Sequence, residues 1–453
     1  MRDAFILIFF LVMTGLAIYR PWLMTLAYLY VDLIQPQRLT YYLLGGGRIS
    51  LIFAILSVLF FLPIAKKNIR ISVTQCLMLT FIAWFTFTTS RAIIPDDLAW
   101  IRWNDGWKAV GFSIFLPFVL ATRRRLESAI AVSVLCIALV TISAGLKTAM
   151  GSGGYGELRM IVPVNNGIYE SSTIATIGIA AIPLILYLYN HSPLVPRNRF
   201  TLLFVAVLIG CSLLTMVGVE ARTGLVCLVA LAGMMWFRSR YKLPIMAALV
   251  AVGIAALPIL PQSFTDRMKT IAHPKEDVSA STRTQMWGWT LNFVQSHPLG
   301  GGFRVYRLSK FVVEIPERDR NGFLTGHVKV VPEVARAFHS SYFEVLGEHG
   351  WPGLILYLSI IGSALVTIIG VRRRALVGPP EAMWQAHLAR ALFRAVVIYA
   401  IGGLFVGLSM QTTLYTLIAF CVSLAHLQAE HRVTRPMALA LRARRMRPAL
   451  AEA

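Results

Sequence analysis

At 453 residues, 57% of them hydrophobic and 14% charged, with a mean hydropathy of +0.67, the chain is too apolar for a soluble domain, where about a quarter of residues are charged. A formal net charge of +22 would suit a nucleic-acid binder, but the cations stand in short clusters between apolar runs, which is a signature of membrane topology. All five cysteines (Cys76, Cys136, Cys211, Cys227 and Cys421) lie inside apolar runs, leaving no disulfide framework and no cysteine-built metal site.

In chain order, the first 34 residues read as one interrupted span or two short ones, broken at Arg20-Pro21. No clean cleavage site follows, so this stretch reads as a retained anchor. A membrane span needs about 20 mostly apolar residues. Such runs lie near 49–65, 72–90, 108–122, 127–148, 171–189, 200–219, 223–237, 243–260, 352–371, 390–409 and 411–428, about 12 spans in all. Five basic clusters fall on one side of this arrangement: Lys66-Lys67-Arg70, Arg123-Arg124-Arg125, Arg197-Arg199, Arg238-Arg240-Lys242 and Arg372-Arg373-Arg374. Short loops rich in Lys and Arg stay cytoplasmic. The expected fold is therefore an all-α polytopic membrane protein, a bundle of about 12 transmembrane helices with one large outer loop segment. It divides into an N-terminal transmembrane bundle (1–260), the outer loop (261–340), C-terminal transmembrane helices (341–430) and a basic cytoplasmic tail (431–453) able to lie on anionic headgroups.

The outer segment has signals of its own. Pro258 and Pro261 end the preceding span, and Ser279-Ala280-Ser281-Thr282 reads as a helix N-cap cluster. From Arg283 to Gln295, Met286, Trp287, Trp289, Phe293 and Val294 suit an interfacial amphipathic helix. His297 to Gly302 then reads as a turn, and 303–336, with charges of both signs, as irregular. The glycine runs Gly45–Gly47, Gly151–Gly156 and Gly300–Gly302 lack a following Lys-Ser/Thr and are loops, not phosphate cradles.

An enzyme facing outward has no nucleotide supply, so its substrate must arrive already activated, as a glycan on a polyprenyl diphosphate does. That chemistry needs cations for the diphosphate and a base for the acceptor hydroxyl. Arg222, in the short turn Glu220-Ala221-Arg222-Thr223-Gly224, is placed at headgroup level, and its planar fork suits phosphate oxygens. The plainer reading is a snorkelling arginine paired with Glu220. Arg283 opens the amphipathic helix, where an anion is also favoured, against the alternative of a solvated charge. Arg267, Lys269, Arg304 and Arg307 read as solvated. His339, followed by Ser340, forms an i, i+3, i+4, i+7 stripe with Tyr342, Phe343 and Leu346 and is the candidate base. Glu348 is a candidate to orient the imidazole, or a structural partner of Glu344, while His297, His327 and His349 read as solvent-facing. Asp96-Asp97 is the one acidic pair in the early outer loops, and no oxygen-rich cage surrounds it. Neither a metal nor a cofactor is expected.

His339-Ser340, nine residues, then Gly350-x-x-Gly353 resembles the motif of O-antigen ligases and the wider O-antigen ligase/polymerase superfamily. The Arg222-Thr-Gly turn is similar to an outer-face Ser-Arg-Gly element of that superfamily, with Ala221 and Thr223 flanking the arginine here. Asp277 to Arg283, Trp287 and Pro298-Leu299-Gly300, with Met1-Arg2-Asp3 and Gln35 to Thr40, look closest to the O-glycosylation ligases associated with exosortase systems. The resemblance implies an inverting, metal-independent, membrane-embedded glycosyltransferase of the bacterial inner membrane, active on the periplasmic face. The donor would be a glycan on undecaprenyl diphosphate, and the acceptor lipid A-core or another periplasmic hydroxyl. Carried over by motif, Arg222 and Arg283 would hold the diphosphate and His339 would activate the acceptor. Glu220, Ser340, Tyr342, Glu348 and Trp287 would support them. An O-antigen polymerase or protein O-glycosylation ligase would use the same chemistry. A flippase for the same lipid should instead show paired repeats and ionisable residues at mid-membrane depth. Partners are thus the lipid-linked donor, its acceptor and membrane lipids, with no nucleic acid.

Overall fold

The computed structural model describes residues 2–36, 49–62, 71–94, 97–151, 169–237, 242–243, 264–265, 278–318 and 324–449. The chain breaks at Pro21, giving two short helices, α1 (Arg2–Tyr19) and α2 (Trp22–Ile34). Phe9 meets Tyr30 at 5.0 Å between ring centroids, so the two lie side by side as a hairpin. Next come α3 (Ile49–Phe61), α4 (Val73–Ser90), α5 (Asp97–Val119), α6 (Arg123–Ala149), α7 (Ser171–His191), α8 (Arg199–Gly218) and α9 (Arg222–Trp236). The outer segment contributes α10 (Val278–Ser296) and the antiparallel strands β1 (Lys310–Arg318) and β2 (Leu324–Val334). The chain then forms α11 (Ser341–Leu376), α12 (Met383–Gly402) and α13 (Thr412–Ala449).

This is an all-α polytopic membrane protein. The helices α4, α6, α7, α8, α11 and residues 412–430 of α13 are long and apolar enough to cross a bilayer, while stretches within α1, α2, α3 and α9 are apolar but shorter. Burial separates centre from periphery: 83% of the apolar window of α7 is enclosed by protein, against 33% for α8. Among the described spans α7 is the most enclosed, followed by residues 412–430 of α13.

Several local expectations change. Residues 303–336 hold a hairpin instead of irregular chain, paired from Lys310↔Val334 to Pro316↔Val328. Its β-branched run (Val312, Val313, Ile315; Val328, Val330, Val331) favours strand. The Ser279–Thr282 cluster lies inside α10, which starts at Val278, so Arg283 stands in the second turn and does not open the helix. The run expected at 390–409 is displaced: α12 covers 383–402, and 403–411 is a non-helical connection after Gly402-Gly403. α5 begins at Asp97, making helix of much of the loop expected over 91–107. The expected span 243–260 lies, but for Leu243, outside the described residues, as do Arg267, Lys269 and Asp96.

The bundle has two distinct ends. Arg123 of α6 donates to the His191 carbonyl at the end of α7, and the His191 and His387 rings stack at 3.7 Å. Arg374 near the end of α11 donates to Gln428, which in turn donates to Gln385. This end gathers Arg123–Arg125, Arg197, Arg199 and Arg372–Arg374. At the other end, Tyr169 beside the start of α7 donates to the Ile34 carbonyl closing α2, and the Ser341 N–H donates to the Gly403 carbonyl just past α12. α4, α6 and α8 begin at the basic end under side-chain caps from Ser72, Thr122 and Asn198. α2 and α12 at the basic end, and α7, α9 and α11 at the opposite end, begin with no side-chain cap hydrogen bond. Uncapped N-termini point partial positive charge outward.

Candidate functional site

His339 joins the hairpin to α11 at the end opposite the basic clusters. Its backbone is left-handed, φ 50°, so it stands before the helix and outside the expected stripe. Ser340 is the N-cap position. A side chain held at positive φ is uncommon and recurs at functional sites. Both flanks are clamped. The Phe338 carbonyl accepts the Trp287 indole N–H at 3.0 Å, and the Phe338 ring packs with Met286 and Val305. Trp287 also stacks on Phe343, with centroids 4.9 Å apart and planes 3° from parallel. On the other flank, the Ser341 N–H donates to Gly403 O (2.8 Å), and its hydroxyl donates to Val406 O (2.9 Å) while accepting from the Leu408 N–H (2.8 Å). The Ser340 hydroxyl approaches the same Gly403 carbonyl, and the Tyr342 hydroxyl donates to Ala400 O at 2.7 Å. Trp287, Ser340 and Tyr342 thus set where the imidazole stands.

The charges around it come from distant segments. Burial, then Arg283 and Arg336, push the His339 imidazole down to about 4, so at neutral pH it is uncharged and can accept a proton. Arg283 also acts on Glu170, the N-cap of α7. Burial raises the Glu170 carboxyl most. The 2.6 Å hydrogen bond from the Thr173 hydroxyl and the charge of Arg283 oppose that rise, while Glu344 adds to it. Glu344 in turn pairs with Arg102 of α5 at 3.3 Å and accepts from the Ser409 hydroxyl at 2.6 Å. Arg283, Arg336 and Arg102, with the carboxylates of Glu170 and Glu344, therefore stand at the imidazole's end of the bundle. No group of three or more His, Cys, Asp or Glu able to hold a metal is found among the described residues.

The other candidates fall into place around this centre. Arg222 is half-buried and opens α9. Glu220 before it is buried and left-handed, φ 49°. A Cβ placed on Gly224 would lie 3.0 Å from the Ala175 side chain of α7, so Arg222 stands beside the α7 N-terminus, the same end as Glu170. Glu348 serves the adjacent turn instead of the imidazole: its Oε1 accepts the Arg304 N–H at 2.8 Å. His349 is fully buried, contrary to the solvent-facing expectation. Its Nδ1 pairs with the Thr88 hydroxyl at 2.8 Å, and Phe303 meets its ring edge-on at 4.6 Å. His297 is exposed.

The glycines of the motif act through the backbone. Gly350 breaks α11 with φ 66°. A Cβ there would lie 2.2 Å from the Pro298 carbonyl oxygen, and one on Gly300 would lie 2.4 Å from the Gly350 nitrogen. The 298–302 turn thus rests directly on the kink, with Gly301 and Gly302 donating to the Gly347 and Glu348 carbonyls. That contact fixes α10 against α11, and with it Arg283 against His339.

Residues 207–358, from α8 into α11, match the family model described as O-antigen ligase. That match spans about a third of the chain and supports the O-antigen ligase superfamily. The matched segment contains Arg222, Arg283, His339, Gly350 and Gly353. Residues 1–193 separately match a family of unknown function, DUF5935. No curated protein matches the chain. The match supports glycan transfer in polysaccharide biosynthesis by a membrane protein. Arg102 and Glu170, unremarked from sequence, lie in the first matched segment, whereas His339 and Arg283 lie in the second. Each carried a signal: Arg102 sits in the tryptophan-rich stretch Trp100–Trp107, and Glu170 directly precedes the helix start Ser171-Ser172-Thr173.

Proposed function

We propose that the protein transfers a glycan from undecaprenyl diphosphate to an acceptor hydroxyl at the periplasmic face, with inversion and without a metal, as an O-antigen ligase acting on lipid A-core. The observation that carries this reading is the uncharged His339 imidazole, fixed by left-handed backbone beside Arg283 and Arg336. In this reaction His339 takes the proton of the acceptor hydroxyl as its oxygen attacks the anomeric carbon. The bond from that carbon to the diphosphate oxygen breaks on the opposite face, which inverts the centre. Negative charge grows on the leaving diphosphate, where Arg222 and Arg283 meet it, helped by the uncapped starts of α7, α9 and α11. Lone carboxylates would repel that leaving group, but Glu344 is already paired with Arg102.

The test is transfer by purified protein in proteoliposomes with a lipid-linked glycan and lipid A-core. The product should carry an inverted anomeric linkage, and the rate should survive EDTA. A retained configuration overturns the single-displacement reading. Loss of activity in chelator, restored by a divalent ion, overturns the arginine-based account of the diphosphate. The glycolipids and glycoproteins of a deletion strain decide the acceptor, since the true acceptor alone loses its glycan.

A further inference from the structure

At the basic end, remote from His339, α7 and α12 leave a cavity of about 170 Å³ between them. α7 runs Ser171–His191 and lines the cavity from Pro183 to His191, so at about 1.5 Å per residue the cavity lies roughly 20–30 Å from Glu170. It is lined by Tyr187, Asn190, His191, His387, Arg390 and Arg394 together with three apolar residues, and no carboxylate lines it. The nearby Glu127 is already committed, accepting from Arg123 Nε (2.8 Å), the Tyr187 hydroxyl (2.6 Å) and the Ser192 hydroxyl (2.7 Å). The His191 and His387 rings stack within 11° of parallel, which places both imidazoles at the cavity. Arg123, Arg197 and Arg390 all act electrostatically on His191. The Arg390 Nε is buried with no hydrogen-bond partner among the described residues, although buried donors are normally paired. The space far exceeds the about 10–15 Å³ a single water needs.

We propose that this cavity binds a phosphate group, carried by an anionic phospholipid headgroup or present as free phosphate. A phosphate offers several acceptor oxygens, which a guanidinium fork engages in pairs. The end of the bundle that holds it bears the Arg123–Arg125 and Arg372–Arg374 clusters, a distribution that attracts anionic headgroups. Bound phosphate would bridge α7 to α12. The far ends of these helices carry Glu170 and the Gly403 carbonyl that holds Ser341, so occupancy bears on the site without taking part in its chemistry.

The test uses the full-length protein, purified in detergent and delipidated, with thermal unfolding and native mass spectrometry. Phosphatidylglycerol should raise the midpoint of the wild type, and phosphatidylcholine should not. Arg390→Gln should weaken phosphatidylglycerol binding by about tenfold or more, the scale of a lost charged hydrogen bond. If inorganic phosphate reproduces the shift with the same dependence on Arg390, the ligand is free phosphate. If only phosphatidylglycerol does so, it is a headgroup. No shift with either anion, or an equal shift in wild type and Arg390→Gln, overturns the proposal. Should the variant fail to fold, hydrogen exchange on the wild type decides: an anion must protect 183–191 and 387–394, and absence of protection overturns it.

Discussion

At the scale of single residues, the candidate site depends on keeping one imidazole uncharged. A base must be unprotonated to act. With His339 held at about 4 by burial, Arg283 and Arg336, kcat/KM should rise with pH through roughly that value and stay flat across neutrality. His339→Ala and His339→Gln should both abolish transfer while leaving donor binding intact, because Gln cannot take a proton. Substantial activity in the Gln variant would reduce His339 to an orienting role. Arg283→Gln should move the acid limb upward in pH, since removing a cation favours imidazolium, and the pH profile of the variant checks this. Arg222→Ala should cost on the order of 10²–10³ in rate with folding intact, and Arg222→Lys should rescue only partly, having a charge but no fork. Steady-state kinetics with the lipid-linked donor separates these outcomes. His339, Arg283 and Arg222 stand out in the sequence because their residue types and their place beside apolar runs fit the proposed chemistry. Arg102 does not, because its partner Glu344 lies 242 residues away in sequence, and a pairing across that distance leaves no local pattern.

At the scale of elements, α11 shows what spacing can and cannot reveal. The Gly350-x-x-Gly353 pattern is visible in the sequence, but its reason is three-dimensional: a helix break on which the 298–302 turn rests backbone to backbone. Gly350→Ala must adopt φ 66° and place a methyl 2.2 Å from Pro298 O, so it should destabilise by about 1–3 kcal/mol and lose transfer. Gly362→Ala, in the same helix with nothing within 4 Å of its Cβ, should be neutral or stabilise by up to about 1 kcal/mol and keep activity. Thermal melts in detergent paired with transfer assays distinguish the two. The end of α12 was hidden because 390–409 is almost continuously apolar and hydropathy does not register Gly402-Gly403 as a stop. Yet the turn after it, through Gly403, Val406, Leu408 and Ser409, holds both Ser341 and Glu344. The hairpin was hidden differently, its short alternations (Val313-Glu314-Ile315 and Val328-Lys329-Val330) being broken by the doublets Val312-Val313 and Val330-Val331 and by Pro316 and Pro332.

At the scale of the whole molecule, the chain segregates its charge. One end carries the arginine clusters, and the other carries the uncapped starts of α7, α9 and α11, the hairpin and His339. The site also draws on both matched segments, Arg102 and Glu170 from the first and Arg283 and His339 from the second, so neither segment alone supplies the arrangement. If positive loops remain cytoplasmic, the His339 end faces the periplasm, and this is open to direct measurement. Four of the native cysteines are buried and Cys76 is exposed on α4, so Cys76→Ala gives a quiet background. Pro196→Cys, exposed between α7 and α8 at the basic end, and Lys310→Cys, exposed at the start of β1, then report the two faces. A membrane-impermeant maleimide applied to intact spheroplasts should label Lys310→Cys and spare Pro196→Cys, and permeabilisation should expose both. The reverse pattern would place His339 on the cytoplasmic side. There nucleotide-activated sugars are available, so the reason for requiring a lipid-linked donor would fall with the topology.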